Sequence, residues 1–193
     1  MNKAVADFQK MNTLWHDVRW NAVGPFAARR IPMGLKDWVL DKGSLTQRLV
    51  EAYNGDFSVK VLDQAWQSPT RSELAVLGLC QRSRCFIRHV HLYCAGSPKV
   101  FARTVIPVKV ASGRLRGLTH LGNKPLGAVL FSSSHMRRGA FEIAEIMPDS
   151  WLHMQATQDL VRAKKSIWGR RSIFYLYNQP LLVNEIFLPG FSD

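Results

Sequence analysis

An α+β domain on an antiparallel sheet is the fold class this chain predicts, and three features point to it. Two pairs of strand-like runs are joined by turn residues: "RCFIRHVHLYC", "AGSP" and "KVFARTVIPV" make one hairpin, and "RSIFYLYN", a turn at Asn178–Pro180 and "LLVNEIFL" make another. Short helical stretches fall between strands irregularly, not as alternating βαβ units. No glycine-rich phosphate loop follows a strand, so no nucleotide cofactor is expected. With 193 residues the chain can bury a real core, and residues 1–193 are read as a single domain.

Taken in order, residues 1–33 read as a helical lead-in followed by a loop around Pro25 and Pro32. "LKDWVLDKGSLTQRLVEAY" predicts two short helices broken at Gly43. Ser44 is a good N-cap for the second, and Gln47 completes a capping-box spacing. "FSVKVLD" alternates Phe57, Val59 and Val61, the mark of a half-buried strand. "PTRSELAVLGL" is a short helix with its breaker at Gly78. After the first hairpin, "PLGAVLF" is a short helix and "RRGAFEIAEI" a strand. Residues 147–166 form a long polar connection, part helical, before the second hairpin.

Composition narrows the setting. Lys and Arg number 26 against 14 Asp and Glu, a net charge of +12, which attracts anions without choosing among nucleic acid, acidic lipid and a small carboxylate. The basic residues are dispersed, and no nucleic-acid-binding motif accompanies them, so nucleic acid is not expected as a partner. No apolar stretch approaches the roughly 20 residues that span a bilayer. The opening "MNKAVADFQKMNTLWHDVRW" mixes Asp7, His16 and Asp17 among its apolar positions, unlike a signal peptide. Cys80, Cys85 and Cys94 form no CxxC pair and are read as small buried thiols of a reduced, cytoplasmic protein.

Two charges stand on apolar strand faces. Residues two apart on a strand share an environment. Arg88 therefore sits with Phe86, Val90, Leu92 and Cys94, and Glu185 with Leu181, Val183 and Phe187. Left unpaired inside a fold, either would cost several kcal/mol. Three arrangements relieve that cost. The pair neutralise each other as a buried salt bridge, or one of them lies at a solvated edge, or both face an enclosed polar pocket, the guanidinium gripping a carboxylate and the acid facing a hydroxyl or proton. Periodicity leaves all three open. Arg103, on the row Phe101, Val105, Pro107, is assigned a structural partner or a rim position. Arg170 and Arg171 in "WGRRS" lie on opposite faces, so at most one of them is expected to point inward.

Other constellations are weaker. His89 and His91 share a face but lack a third metal ligand at a recognisable spacing; they are read as surface histidines, and no metal is expected. "SSSH", Ser132 to His135, lacks a nucleophile-elbow pattern and reads as a loop or helix C-cap. The six Trp are scattered as core anchors, not stacking platforms.

In this order the elements resemble the chorismate pyruvate-lyase family, through "DWVLDKGSLTQRL", "RHVHLYCAGSPKVFARTVIP", "LGNKPLGAVLF", "WGRRSIF" and "QPLLVNEIFLP", from about residue 37 to 189. The resemblance implies helical flaps closing over a buried pocket on the sheet. It implies a cofactor-free lyase that splits chorismate into pyruvate and 4-hydroxybenzoate for ubiquinone biosynthesis. Arg88 is its implied carboxylate anchor and Glu185 its hydroxyl-binding, catalytic acid. Leu45 in "GSLT", a position often Met in relatives, and Leu126 in "KPLG" are further substrate contacts, mostly through backbone groups. His89 stands where an acidic residue is common, and the 147–166 connection is longer than in compact members. Chorismate is the expected partner of a monomer, with weak association to an anionic membrane surface allowed by the charge. The competing expectation is a metabolite-binding effector domain of a bacterial transcription regulator, which shares this fold. Such domains follow a winged helix-turn-helix, for which the roughly 35 residues before the shared region are too few.

Overall fold

The structure, a computed structural model, describes residues 18–160 and 165–191; most of the expected helical lead-in lies outside them. Seven strands form one antiparallel sheet in the order β1-β5-β6-β7-β4-β3-β2. They are β1 (Asn21–Ala22), β2 (Phe57–Gln67), β3 (Cys85–Cys94), β4 (Ser97–Pro107), β5 (Met136–Ile146), β6 (Ile167–Leu176) and β7 (Gln179–Phe187). Short helices decorate both faces: α1 (Pro25–Arg29), α2 (Met33–Leu40), α3 (Leu45–Ala52), α4 (Arg71–Val76), α5 (Val108–Ala111), α6 (Leu126–Phe131) and α7 (Trp151–Thr157). A 3₁₀ segment spans Gly113–His120. The α+β antiparallel architecture is therefore as the sequence predicts. Residues around Pro25 differ: they form α1, because proline at the first helical position loses no hydrogen bond there.

Both hairpins turn on two residues with left-handed backbone, Ala95 and Gly96 (φ 48° and 70°) and Tyr177 and Asn178 (φ 50° and 61°). This geometry matches the right-handed twist of the flanking strands. It draws Ser97, Pro98, Gln179 and Pro180 into strands where the sequence places turn. In α3 the Ser44 hydroxyl accepts from the Gln47 amide at 3.3 Å, but the Gln47 side chain donates to Glu51 instead of completing the box.

One face of the sheet is covered by α2, α3, α6 and the 3₁₀ segment, packed over Val59, Val90, Leu92, Val100 and Phe187 at one end and Phe86, Ile106, Phe174 and Leu181 at the other. The opposite face carries α4 and α7. There Arg103 donates twice to Glu73, at 2.7 and 2.8 Å, so its partner is structural. Glu73 also accepts from the Thr70 amide, closing a capping box that starts α4. Burial alone would push the Glu73 carboxyl up, but the Arg103 charge and these hydrogen bonds hold it below the ordinary range. Asn184 donates to Glu73 and to the Arg103 carbonyl, while Trp151 of α7 stacks on the guanidinium at 4.8 Å.

His89 and His91 are buried, not superficial, because α4 and α7 cover the face they share. Arg103 can only donate, so His89 Nε2 accepts from it and the ring is neutral, its pKa driven down to about 3 by burial and the Arg103 charge. His91 Nε2 contacts the Ala156 carbonyl at 3.0 Å. Coverage of both faces likewise buries Arg170 and Arg171 together, against the expectation of one. Arg171 donates to Glu142 and Ser72 at 2.7 Å each and stacks on Trp20. Cys85 and Cys94 are buried thiols as expected, whereas Cys80 is exposed. Trp66 is also exposed, on edge strand β2.

Arg103→Met leaves the buried Glu73 charge without its cation and should lower unfolding free energy by about 3–5 kcal/mol in denaturant titrations. Unfolded chain binds a proton at His89 near pH 6.5 and the native state does not. Stability is thus fully present above that pH and declines as pH falls toward 3. His89→Gln, which keeps an acceptor for Arg103 but cannot titrate, should flatten that decline in urea melts across the same window.

Candidate active site beneath two helical flaps

Between the sheet and its first set of helices lies a cavity. Its floor comes from β3 (Arg88, Val90, Leu92), β4 (Ala102, Thr104) and β7 (Val183, Glu185), and its roof from Leu45 and Thr46 of α3 and Pro125, Leu126, Gly127 and Leu130 around α6. All four residues singled out from the sequence, Leu45, Arg88, Leu126 and Glu185, line this one space. Arg88 and Glu185 form no pair with each other. On the intervening strand β4, Arg88 is registered with Thr104 and Glu185 with Ala102. Two strand spacings across and two residues along put their Cα atoms about 12 Å apart, and the small side chains between them leave the floor open. One aromatic ring with a polar group at each end fits such a gap.

Arg88 is buried, and desolvation pushes its guanidinium below the ordinary arginine range. Its Nη2 donates to the carbonyls of Gly122 at 2.7 Å and Lys124 at 3.2 Å, in the loop before α6. Its Nε has no partner among the described residues. Such a buried, under-used donor edge suits a carboxylate. Leu45 and Leu126 are the first residues of α3 and α6, positions whose amides have no intrahelical acceptor.

Glu185 is held from behind. Arg170, fully buried, donates from Nε to Glu185 Oε2 at 2.6 Å, and Arg138 Nη2 lies 3.8 Å from the same oxygen. Both arginines also reach the first flap. Arg170 Nη1 donates to the carbonyls of Trp38 at 3.0 Å and of Asp41, at the C-terminal end of α2. Arg138 Nη1 donates to those of Lys42 at 3.0 Å and Gly43 at 3.2 Å, while its Nε donates to Ser172. Sequence reading assigned neither residue to the site, although it allowed one of Arg170 and Arg171 to point inward. The signal was present: once the second hairpin turns at Tyr177–Asn178, residue 170 falls directly opposite 185, as the register shows.

The two flaps meet at Gly127. A Cβ there would come within 2.8 Å of Thr46 Oγ1 and 3.6 Å of Ser44 Oγ, so only glycine permits this approach. "SSSH" ends α6 as a cap and turn, away from the cavity: the Ser132 hydroxyl donates to Val129 and the Ser133 hydroxyl accepts from the His135 amide. Among the described residues no cluster of His, Cys, Asp and Glu is suited to a metal.

Residues 17–192 match the family model described as "Chorismate lyase". Probable chorismate pyruvate-lyases are among the relatives: that of Methylococcus capsulatus is 39% identical over 81% of this chain and 95% of its own length, and that of Thiobacillus denitrificans 36% identical over 84% and 87%. Among solved structures, the effector domain of PhnF from Mycobacterium smegmatis superposes with a TM-score of 0.56 at 15% identity, covering 78% of this chain and 91% of that one. A GntR-family transcriptional regulator from Bacillus cereus gives 0.52 at 13% identity, over 69% and 92%. These structural likenesses bear on the fold alone.

Gly127→Ala should wedge the flaps apart. Amide exchange at residues 44–47 and 122–128 is expected to speed up by about tenfold or more, the scale of a local opening eased by about 1–2 kcal/mol, with the central strands unchanged.

Proposed function

Because the chain belongs to the chorismate lyase family, we propose that it eliminates pyruvate from chorismate to leave 4-hydroxybenzoate, the aromatic precursor for ubiquinone biosynthesis. The observation that carries the site assignment is that Arg88, buried on β3, and Glu185, half-buried on β7, face one cavity without touching each other.

Arg88 takes the ring carboxylate through its free Nε edge, and the amides of Leu45 and Leu126 help to fix its orientation. Glu185, with Oε2 engaged by Arg170, offers Oε1 to the C4 hydroxyl. The reaction breaks the bond from C3 to the ether oxygen, moves the C4 hydrogen to the enolpyruvyl methylene, and leaves an aromatic ring and pyruvate. Aromatisation supplies the driving force, so the protein's task is to hold one conformer and keep water out. Glu185 is the only carboxylate among the cavity-lining residues. With one oxygen already clamped, it is assigned to holding the hydroxyl while hydrogen passes within the substrate in a cyclic step.

The wider reading is a monomer in the cytoplasm, since one chain completes the cavity and its cysteines are free thiols. No helix among the described residues is long and apolar enough to cross a membrane. The surplus of positive charge favours encounter with anionic substrate. Exposed Phe26 and Arg29 on α1 would support light contact with an anionic membrane.

Incubation with chorismate should yield 4-hydroxybenzoate and pyruvate in equal amounts; absence of both contradicts the assignment. Arg88→Ala is expected to fold yet lose about 10²–10³-fold in kcat/KM, the scale for removing a preorganised charged donor. Glu185→Gln should lower kcat less than about tenfold, whereas a loss of about 10²–10⁴-fold would instead make the carboxylate a general base.

A further inference from the structure

Three guanidiniums converge on the cavity end of the sheet, and one carboxylate answers them. Arg88 lines the cavity, Arg170 holds Glu185 at 2.6 Å, and Arg138 stands 3.8 Å from the same oxygen. Asp41, another carboxylate of this region, is occupied by Arg48 at 3.3 Å and the Gly43 amide at 2.8 Å. Three cations against one anion leave two positive charges in a space largely withdrawn from water. Burying such an excess is costly unless a ligand neutralises it. Product carries only one carboxylate at neutral pH. Chorismate carries two: one on the ring, and one on the enolpyruvyl group at C3.

The free donors have a matching layout. Nη2 of Arg138 and Nη2 of Arg170 are both buried without a hydrogen-bond partner among the described residues, as is Nε of Arg88 at the far end. Arg138 is nearly enclosed, with 11% of its side chain exposed, and its guanidinium stacks on Phe174, a wall of the cavity, at 5.1 Å. C3 and C4 are neighbours on the substrate ring. A group that holds the C4 hydroxyl therefore brings the ether substituent into its own surroundings, which here are Arg138 and Arg170.

We propose that the Arg138–Arg170 pair is a second carboxylate subsite, which takes the enolpyruvyl carboxylate while Arg88 takes the ring carboxylate. This deepens the lyase assignment and rests on it. The subsite makes the cavity selective for a dianion and fixes the side chain that must pass its methylene over C4. It also ties substrate to closure, because the same two arginines hold the carbonyls of Trp38, Asp41, Lys42 and Gly43 in the first flap. Once pyruvate leaves, the remaining monoanion has no claim on this pair.

The test compares substrate with product. Arg138→Met should lower kcat/KM for chorismate by about 30-fold or more, the scale of a lost charge-assisted hydrogen bond. The Kd for 4-hydroxybenzoate should move no more than about threefold. Equal weakening of substrate and product, as expected of a flap anchor alone, overturns the proposal, and so does no loss with either. A measurement on the unaltered enzyme needs no variant to fold. 3-(Carboxymethoxy)-4-hydroxybenzoate should bind at least about tenfold tighter than 3-methoxy-4-hydroxybenzoate, which lacks the second carboxylate. Equal affinity for the two also overturns the subsite. Failure of the unaltered enzyme to convert chorismate at all would instead count against the lyase assignment.

Discussion

A guanidinium on an apolar sheet face must be answered, and most of this structure is the answer. Arg88, Arg170 and Arg138 project from one face of the sheet, where the strands themselves offer them only Glu185 and Ser172. The helices above and the loops beside them supply carbonyls: Gly122 and Lys124 for Arg88, Trp38 and Asp41 for Arg170, Lys42 and Gly43 for Arg138. Each arginine thus fastens a flap. None is used up by doing so, since each keeps a buried nitrogen without a hydrogen-bond partner among the described residues. On the proposed reading, the groups that shut the cavity are also the groups that bind anion beside it.

This economy separates the two faces of the sheet. On the far face Arg103 is nearly saturated by Glu73, His89 and Trp151, and Arg171 by Glu142, Ser72 and Trp20. Those clusters are closed, with α4 and α7 packed over them, and they have the character of struts. The near face is the opposite case, with donors in excess of acceptors and space beside them. Satisfied polar networks lend rigidity, while incompletely satisfied ones await a partner. Placing both kinds on one sheet gives a stiff floor under an open binding site.

Much of this was legible in the sequence. Arg88 and Glu185 stood out because strand alternation put each in the middle of an apolar row, and the hairpins were plain from their β-branched runs and turn residues. Burial of His89 and His91 was not legible. It depends on α4 and α7 crossing the far face, and contacts between segments so distant along the chain leave no local pattern. Arg170 was hidden by a smaller error, and Arg138 by its place on β5, whose pairing with β6 follows from no tight turn. Placing the second turn at Asn178–Pro180 instead of Tyr177–Asn178 shifts the register by enough to separate Arg170 from Glu185, which the structure sets opposite each other. Proline so near a turn suggested that it belonged to the turn; in fact Pro180 is accommodated within β7.

The central claim is that Arg88 and Glu185 grip opposite ends of one ring beneath closed flaps. A crystal structure of the complex with 4-hydroxybenzoate tests it most directly. The account predicts the carboxylate within about 3 Å of the Arg88 guanidinium and the hydroxyl at a similar distance from Glu185, with Leu45 and Leu126 closed over the ring. A ligand bound in the reverse sense, or held outside the flaps, would contradict it.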